Sequence, residues 1–399
     1  MNPSFFTTNR SRLTKVLGKE LIVMAGNSLM QRSNDMSFPF EQEANFWWLT
    51  GIEAPDWTLI IDGSAKKSYL IAPEVDAVHQ VFDGSLDWQT AKRISGVDKV
   101  ISNSEGKALF VDLAKRGSGV WTLGKDPSVK YYDFSLNPGP VRHYTKLKRL
   151  FHSVNDCRLE LARLRAIKQP PEIEAIRRAI ALTVDAFNEV KQQLLTYRYE
   201  YEIEAAFSNA FRRKGAKGHA YDPIVASGSH ACTLHYMQND DQLKQAELLL
   251  LDIGARVGGY AADITRTYQI GKATVRQKEV HAAVESAHQE IIALLKPGLA
   301  VSEYQRRVDE IMQQKLHQLG LLEYPGDYRK YFPHAISHGL GVDVHDALGR
   351  PTEFLEGMVL TVEPGIYIPE EGIGVRIEDD ILITRGGHEN LSAALPTSL

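Results

Sequence analysis

The stretch Leu248-Leu-Leu-Leu-Asp252-Ile-Gly-Ala-Arg-Val-Gly258-Gly259-Tyr-Ala-Ala-Asp263-Ile-Thr-Arg-Thr-Tyr268 decides the fold. The apolar run before Asp252 is short, Gly258-Gly259 is a turn signal, and Ile264 to Tyr268 is rich in β-branched and aromatic residues, so the segment reads as a β-hairpin. Asp252 and Asp263 are equally far from a centre between Val257 and Gly258. Unless a bulge shifts the register, they stand opposite each other on one face with Cβ atoms about 5 Å apart. Like charges so placed destabilise a sheet, and the pair should either raise one pKa or hold a cation.

A second hairpin of the same kind is Leu360-Thr-Val-Glu363-Pro-Gly-Ile-Tyr367-Ile-Pro369-Glu-Glu-Gly372-Ile-Gly-Val-Arg376-Ile-Glu378. Pro369 to Gly372 has the residue types of a tight turn, and Glu363 and Glu378 are equidistant from it. Four converging carboxylates are untenable without a counter-charge, whereas hard divalent cations favour oxygen ligands, so a dinuclear metal site is expected. Between the hairpins, His334, His338 and His345 fall in one short stretch around Gly339-Leu-Gly341, in a chain of 13 histidines. One such histidine alone is more often a satisfied polar residue. Beside two acidic hairpins, a neutral imidazole becomes a natural fifth ligand.

The chain has 399 residues, 43% hydrophobic and 24% charged, with net charge -4. That suits a globular chain of two domains and offers no electrostatic case for nucleic acid or an anionic membrane. The only cysteines are Cys157 and Cys232, too few for a disulfide framework, and a reducing compartment fits. Met1 to Lys19 has no long apolar core, so no secretory signal or membrane span is expected, and the expected location is the cytoplasm.

From Ser11 to about Ser153, short apolar runs alternate with helix-like stretches: Glu20 to Ala25, Trp57 to Asp62, Tyr69 to Ala72, Lys99 to Ser102 and Val120 to Leu123. The pattern is that of an α/β domain with a mainly parallel sheet. The aromatic run Asn45-Phe-Trp-Trp-Leu-Thr-Gly-Ile reads as core or subunit contact. Pro170-Pro171 ahead of an amphipathic run starts a long helix reaching Val190; further helices are expected over 202–213, 276–295 and 302–319. The expected boundary separates 1–158 from 159–399, the latter an α+β domain with an antiparallel sheet covered by helices.

Taken together, Asp252 to Arg266, His334 to Asp346, Val362-Glu-Pro-Gly and Arg376-Ile-Glu378 resemble the ligand motifs of the pita-bread metallopeptidases that cleave Xaa-Pro bonds. That family includes aminopeptidase P and prolidase. Arg32-Ser-Asn-Asp35-Met-Ser-Phe-Pro-Phe and Phe46-Trp-Trp-Leu-Thr-Gly resemble the aminopeptidase P N-terminal domain. The resemblance implies a pita-bread (creatinase/aminopeptidase-like) catalytic domain and five ligands for two divalent ions: Asp252, Asp263, His338, Glu363 and Glu378. Asp263 and Glu378 would bridge the ions. Manganese is the family's common metal, with cobalt or zinc as alternatives. It also implies Glu363 as proton shuttle, His235 and His345 flanking the substrate, His334 lining the pocket, Arg376 holding carboxylate ligands, and Tyr221 and Tyr367 near the metals.

Asp35 is the candidate for the substrate's ammonium group, across the domain interface. Where the family often has a tryptophan beside a phenylalanine, this chain reads His79-Gln-Val81-Phe82-Asp, so that wall of a neighbouring subunit's site is altered. The expected activity is Xaa-Pro aminopeptidase on proline-containing peptides, in a homodimer or homotetramer. Prolidase is the runner-up, and a metal-free creatinase-like or binding protein the remote alternative. Asp263→Asn, which removes a charge shared by both ions, is expected to abolish hydrolysis, and Asp35→Asn to raise KM with little effect on kcat; steady-state kinetics on an Xaa-Pro-Yaa peptide separates these outcomes.

Overall fold

The computed structural model describes residues 1–117, 119–124, 132–322 and 324–399. The chain divides into two compact units, Met1–Leu164 and Arg165–Leu399, rather than at 158/159. Hydrogen bonds explain the later division. The start of the helix Arg158–Ala166 is tied to the first unit, where Cys157 N–H donates to Thr122 O at 3.0 Å and the Arg158 guanidinium to Gly124 O at 2.7 Å. Arg12 donates to Leu164 O at 3.1 Å. Arg165, the next residue, pairs instead with Asp343 and Asp346.

In the first unit, six strands pair in the order Lys99–Ile101, Lys67–Ile71, Thr58–Asp62, Leu21–Ala25, Val120–Thr122, Val154–Asp156. The sheet is mixed rather than mainly parallel. Leu21–Ala25 and Lys67–Ile71 both run antiparallel to Thr58–Asp62, while the outer pairings are parallel. The short connection from Asp62 to Lys67 can make only an antiparallel hairpin, whereas parallel neighbours need a crossover, such as the one carrying the helix Trp88–Ser95 between Lys67–Ile71 and Lys99–Ile101. Val23, Ile60, Ile71, Phe110, Val120 and Leu147 form a core in this unit. The expected aromatic core is present, with Phe46 and Trp48 fully buried on the helix Ala44–Thr50 and Trp48 edge-on to Phe5. Val81 and Phe82 are exposed on the short helix Ala77–Phe82.

The second unit is built from two β-ribbons covered by helices. In the first ribbon, Leu248–Ile253 pairs with Ile264–Gln269, and the ribbon continues as Ala255–Val257 against Tyr260–Ala261. The register differs from expectation: Asp252 lies opposite Thr265, not Asp263. Gly258 and Gly259 both adopt positive φ, 59° and 86°, and form a two-residue hairpin loop, so the ribbon axis passes between them. Moving the axis by one position shifts the pairing by two residues and preserves the face. Asp263 is therefore the diagonal neighbour of Asp252 on the same face.

In the second ribbon Val359–Val362 pairs with Asp379–Thr384 and Gly365–Ile368 with Ile373–Arg376, all in one register. That register sets Glu363 against Glu378 where the two ladders meet, as the sequence predicts. The helices Val275–Ile292 and Val301–Gln318 cover this ribbon. Val280, Val284, Ala287 and Ile291 form a stripe at helical spacing and belong to one core with Val308, Leu360, Ile366, Val375 and Ile381. Burial of each such side chain contributes about 1.5–3 kcal/mol. The helix Pro170–Gln192 starts where Glu172 accepts from Gln169 N–H at 2.9 Å, and its Thr183 hydroxyl accepts from Ala255 N–H at 3.0 Å in the first ribbon.

The first ribbon bends at Gly254, where a Cβ would lie 1.8 Å from Ala262 O and 2.8 Å from the Tyr221 ring. Gly254→Ala should destabilise by about 1–3 kcal/mol. Gly386→Ala, where a Cβ meets nothing within 4 Å, should be near neutral in the same thermal melts.

Candidate metal centre

The ladders are interrupted at Asp263 in the first ribbon and at Glu363 and Glu378 in the second, while Asp252 stays paired with Thr265, and these positions converge. Three overlapping groups each bring one ligand atom per residue within 4.8 Å of one another: Asp252, Asp263 and Glu378; His338, Glu363 and Glu378; Asp263, His338 and His345. Asp263, His338 and Glu378 each belong to two groups. The ribbons meet through a bridge between Thr265 and Glu378, in which Glu378 N–H donates to Thr265 O at 3.0 Å. Wholly buried Arg266 fastens the junction by donating to Glu378 O at 2.7 Å and Thr265 O at 2.9 Å while pairing with Asp379 at 2.7 Å.

His338 arrives on the loop between the ribbons. Its carbonyl accepts from Thr361 N–H at 2.9 Å, and Glu363 N–H donates to Ile336 O at 3.0 Å, so the loop lies along the second ribbon. Its Nδ1–H donates to Gly339 O at 3.0 Å, which turns Nε2 toward Asp263 at 3.4 Å and Glu363 at 3.5 Å. Tyr221 donates to Asp252 Oδ1 at 2.6 Å. Arg376 holds one carboxylate of the cluster, Asp252, through a single nitrogen. It divides its fork among Asp252 Oδ2 at 2.6 Å, the Tyr367 hydroxyl at 3.0 Å and the Thr265 hydroxyl at 3.2 Å. Tyr367 in turn donates to His334 Nε2 at 2.9 Å, and His334 Nδ1 bonds Ala335 O. The His345 ring sits 4.2 Å from that of His338. His235 is exposed. Asp35 is exposed in the turn between Gln31–Ser33 and Met36–Ser37 of the first unit.

Two supporting threonines escape motif reading. Thr265 donates to Glu378 Oε2 at 2.7 Å; Thr361 donates to Glu363 Oε1 at 3.1 Å and accepts from His338 N–H at 3.1 Å. Each lies two residues from an acidic residue on its strand, so the two-residue strand period identifies them. Behind them Asp380, fully buried, accepts from Asp263 N–H at 3.1 Å.

Burial pushes the Glu363 carboxyl up to about 7, with Asp263 and Asp252 adding to it against His338 and Arg376. Burial and the neighbouring carboxylates hold Glu378 well above the usual carboxylate range, and Asp263 is raised by burial and Asp252. Burial would lower His338, but contact with Asp263 and the charge of Glu363 outweigh it and bring it up to about 9. Burial takes His334 down to about 4, helped by Arg376. Four carboxylates thus face one guanidinium, and the site relieves its charge by retaining protons. An oxygen-rich set with one imidazole whose free nitrogen points inward fits hard divalent cations.

The family description "Metallopeptidase family M24" matches residues 174–385, and "Aminopeptidase P, N-terminal domain" matches residues 6–121. The chain is 34% identical to the Xaa-Pro aminopeptidase of Escherichia coli, over 91% of this chain and 88% of that protein. It is 33% identical to the Xaa-Pro aminopeptidase of Haemophilus influenzae, over 92% and 89%. A solved structure of aminopeptidase P from E. coli with the inhibitor Pro-Leu superimposes with TM-score 0.88 at 30% identity, covering 100% of this chain and 96% of that one.

A pH dependence of stability follows from the raised groups. Glu363, raised from 4.5 to about 7, contributes stability below its ordinary pKa that is lost as pH rises through about 7. His338, raised from 6.5 to about 9, loses its contribution as pH rises through about 9. Lowered histidines such as His334 have given their full contribution above their ordinary 6.5. Chelator-treated protein should therefore lose thermal stability between about pH 7 and about pH 9. A melting temperature constant or rising over that interval would contradict the electrostatic reading.

Proposed function

Because this chain belongs to metallopeptidase family M24 and carries an aminopeptidase P N-terminal domain, we propose that it is a metal-dependent Xaa-Pro aminopeptidase, releasing the N-terminal residue that precedes proline. The observation that carries the proposal is that three ligand groups overlap, at Asp263, His338 and Glu378, so that the donors of all five candidate ligands form one continuous cluster. Prolidase is not favoured, since the chain aligns over about nine-tenths of its length with proteins named Xaa-Pro aminopeptidase. All five ligand positions are filled, which weighs against a metal-free relative. We propose manganese as the metal, on the ground that four carboxylates and one imidazole suit it, with cobalt or zinc as substitutes.

Divalent cations held by Asp252, Asp263, His338, Glu363 and Glu378 would supply Lewis acidity and acidify water. The rest is the work of side chains. Glu363 accepts a proton from the attacking water and returns it to the proline nitrogen as the C–N bond breaks. That nitrogen belongs to a tertiary amide and cannot leave unprotonated. The chain from Arg376 through Tyr367 to His334 borders Glu363, with His334 Nδ1 3.6 Å from Glu363 Oε2. To His235 and His345, both exposed, the proposal assigns hydrogen bonds to the oxygen that gains negative charge.

The free thiols of Cys157 and Cys232 support a cytoplasmic location, and a homodimer or homotetramer is proposed by family analogy. No helix among the described residues is long and apolar enough to cross a membrane. Comparing kcat/KM for Xaa-Pro and Xaa-Pro-Yaa tests the reading: the longer peptide should turn over faster, and turnover of the dipeptide alone would overturn the proposal in favour of prolidase.

A further inference from the structure

A buried charge cluster lies outside the ligand set. Asp346 is held by Lys168 Nζ at 3.0 Å and Arg165 Nη2 at 2.9 Å, and the three side chains are 3%, 1% and 5% exposed. Arg165 also reaches the more exposed Asp343 at 2.8 Å. Lys168 is fixed at both ends: its N–H donates to Gly357 O at 2.9 Å and its Nζ to Arg165 O at 2.7 Å. Replacing buried ion pairs with apolar residues of similar volume is often neutral or stabilising, so this cluster is not accounted for by stability alone.

Its geometry offers another account. Asp346 N–H donates to Gly339 O at 2.7 Å, closing the loop that leaves His338 and returns through His345. The closure is tight. A Cβ on Gly339 would lie 2.3 Å from Asp346 O, and one on Gly341 would lie 2.0 Å from Asp346 Oδ2 and 3.1 Å from Lys168 Nζ. Both glycines of the His-Gly-Leu-Gly run therefore make room for Asp346 and its cation. The first ribbon holds the loop's far side, where Ala261 N–H donates to Gly341 O at 2.9 Å and Arg256 to Val342 O at 2.7 Å. With the residue after it clasped, His345 is brought to 4.2 Å from His338.

We propose that Lys168 and Arg165, acting through Asp346, are positioning residues that hold His345 in the orientation the reaction uses. The inference rests on the Xaa-Pro aminopeptidase reading and deepens it. Lys168→Met, His345→Ala and the double variant form the test. Lys168→Met alone should lower kcat at least about tenfold with KM changed less than about twofold, and in the His345→Ala background it should change kcat less than about twofold. Equal losses in both backgrounds, or no loss in the first, would overturn the proposal.

Hydrogen exchange on chelator-treated protein gives a readout independent of turnover. The Gly341 and Asp346 amides should exchange at least about tenfold faster in Lys168→Met, with the Leu250 and Ile381 amides of the ribbons unchanged. Unchanged loop exchange would equally overturn it. Should Lys168→Met not fold, Asp346→Asn goes through the same cycle and exchange measurement with the same deciding outcomes. Absence of Xaa-Pro hydrolysis by the unsubstituted protein would defeat the functional reading, while the exchange measurement still decides whether the cluster holds the loop.

Discussion

Four carboxylates, Asp252, Asp263 and Glu378 buried and Glu363 half-buried, are held against a single guanidinium, and the architecture of the catalytic unit follows from keeping them there. Like charges at such separations repel strongly where water is excluded. Their backbone must therefore be fixed by forces that do not depend on the carboxylates. Two ribbons supply them: long antiparallel ladders, cores on their covered faces, and the Thr265–Glu378 bridge, buttressed by the buried Arg266–Asp379 pair. Asp263, Glu363 and Glu378 occupy the interruptions in these ladders and Asp252 stands in the paired strand beside them, and side-chain hydrogen bonds from Tyr221, Thr265, Thr361 and Arg376 hold the cluster.

That division of labour explains what was legible in the sequence. The second ribbon could be read to the residue because Pro369 to Gly372 is a symmetric turn and nothing perturbs the pairing beyond it. The first was read with its axis one position early, since a Gly-Gly pair marks a turn without saying where its centre falls. The error left the aspartates on their common face because strand side chains alternate with a period of two. The four acidic ligand candidates could be picked out because acidic residues are rare in buried strands, whereas His338 was singled out among three histidines by the family resemblance alone.

Long-range partners were not legible. Lys168 and Asp346 are 178 positions apart, and nothing local in either segment announces the other. Asp380 reads as one more acidic residue after Glu378 until burial shows it behind Asp263. In the first unit, strand positions followed from the apolar runs, but strand direction is set by the connections, and the tight turn after Asp62 places antiparallel pairs inside a sheet expected to be mainly parallel.

The account stands on the carboxylate cluster being a seat for divalent cations rather than a set of buried acids. Elemental analysis of the dialysed protein, paired with peptidase assays after chelation and after manganese is restored, tests this most directly. The account predicts about two ions per chain, loss of activity on their removal and recovery on their return. Full peptidase activity in metal-free protein would contradict it.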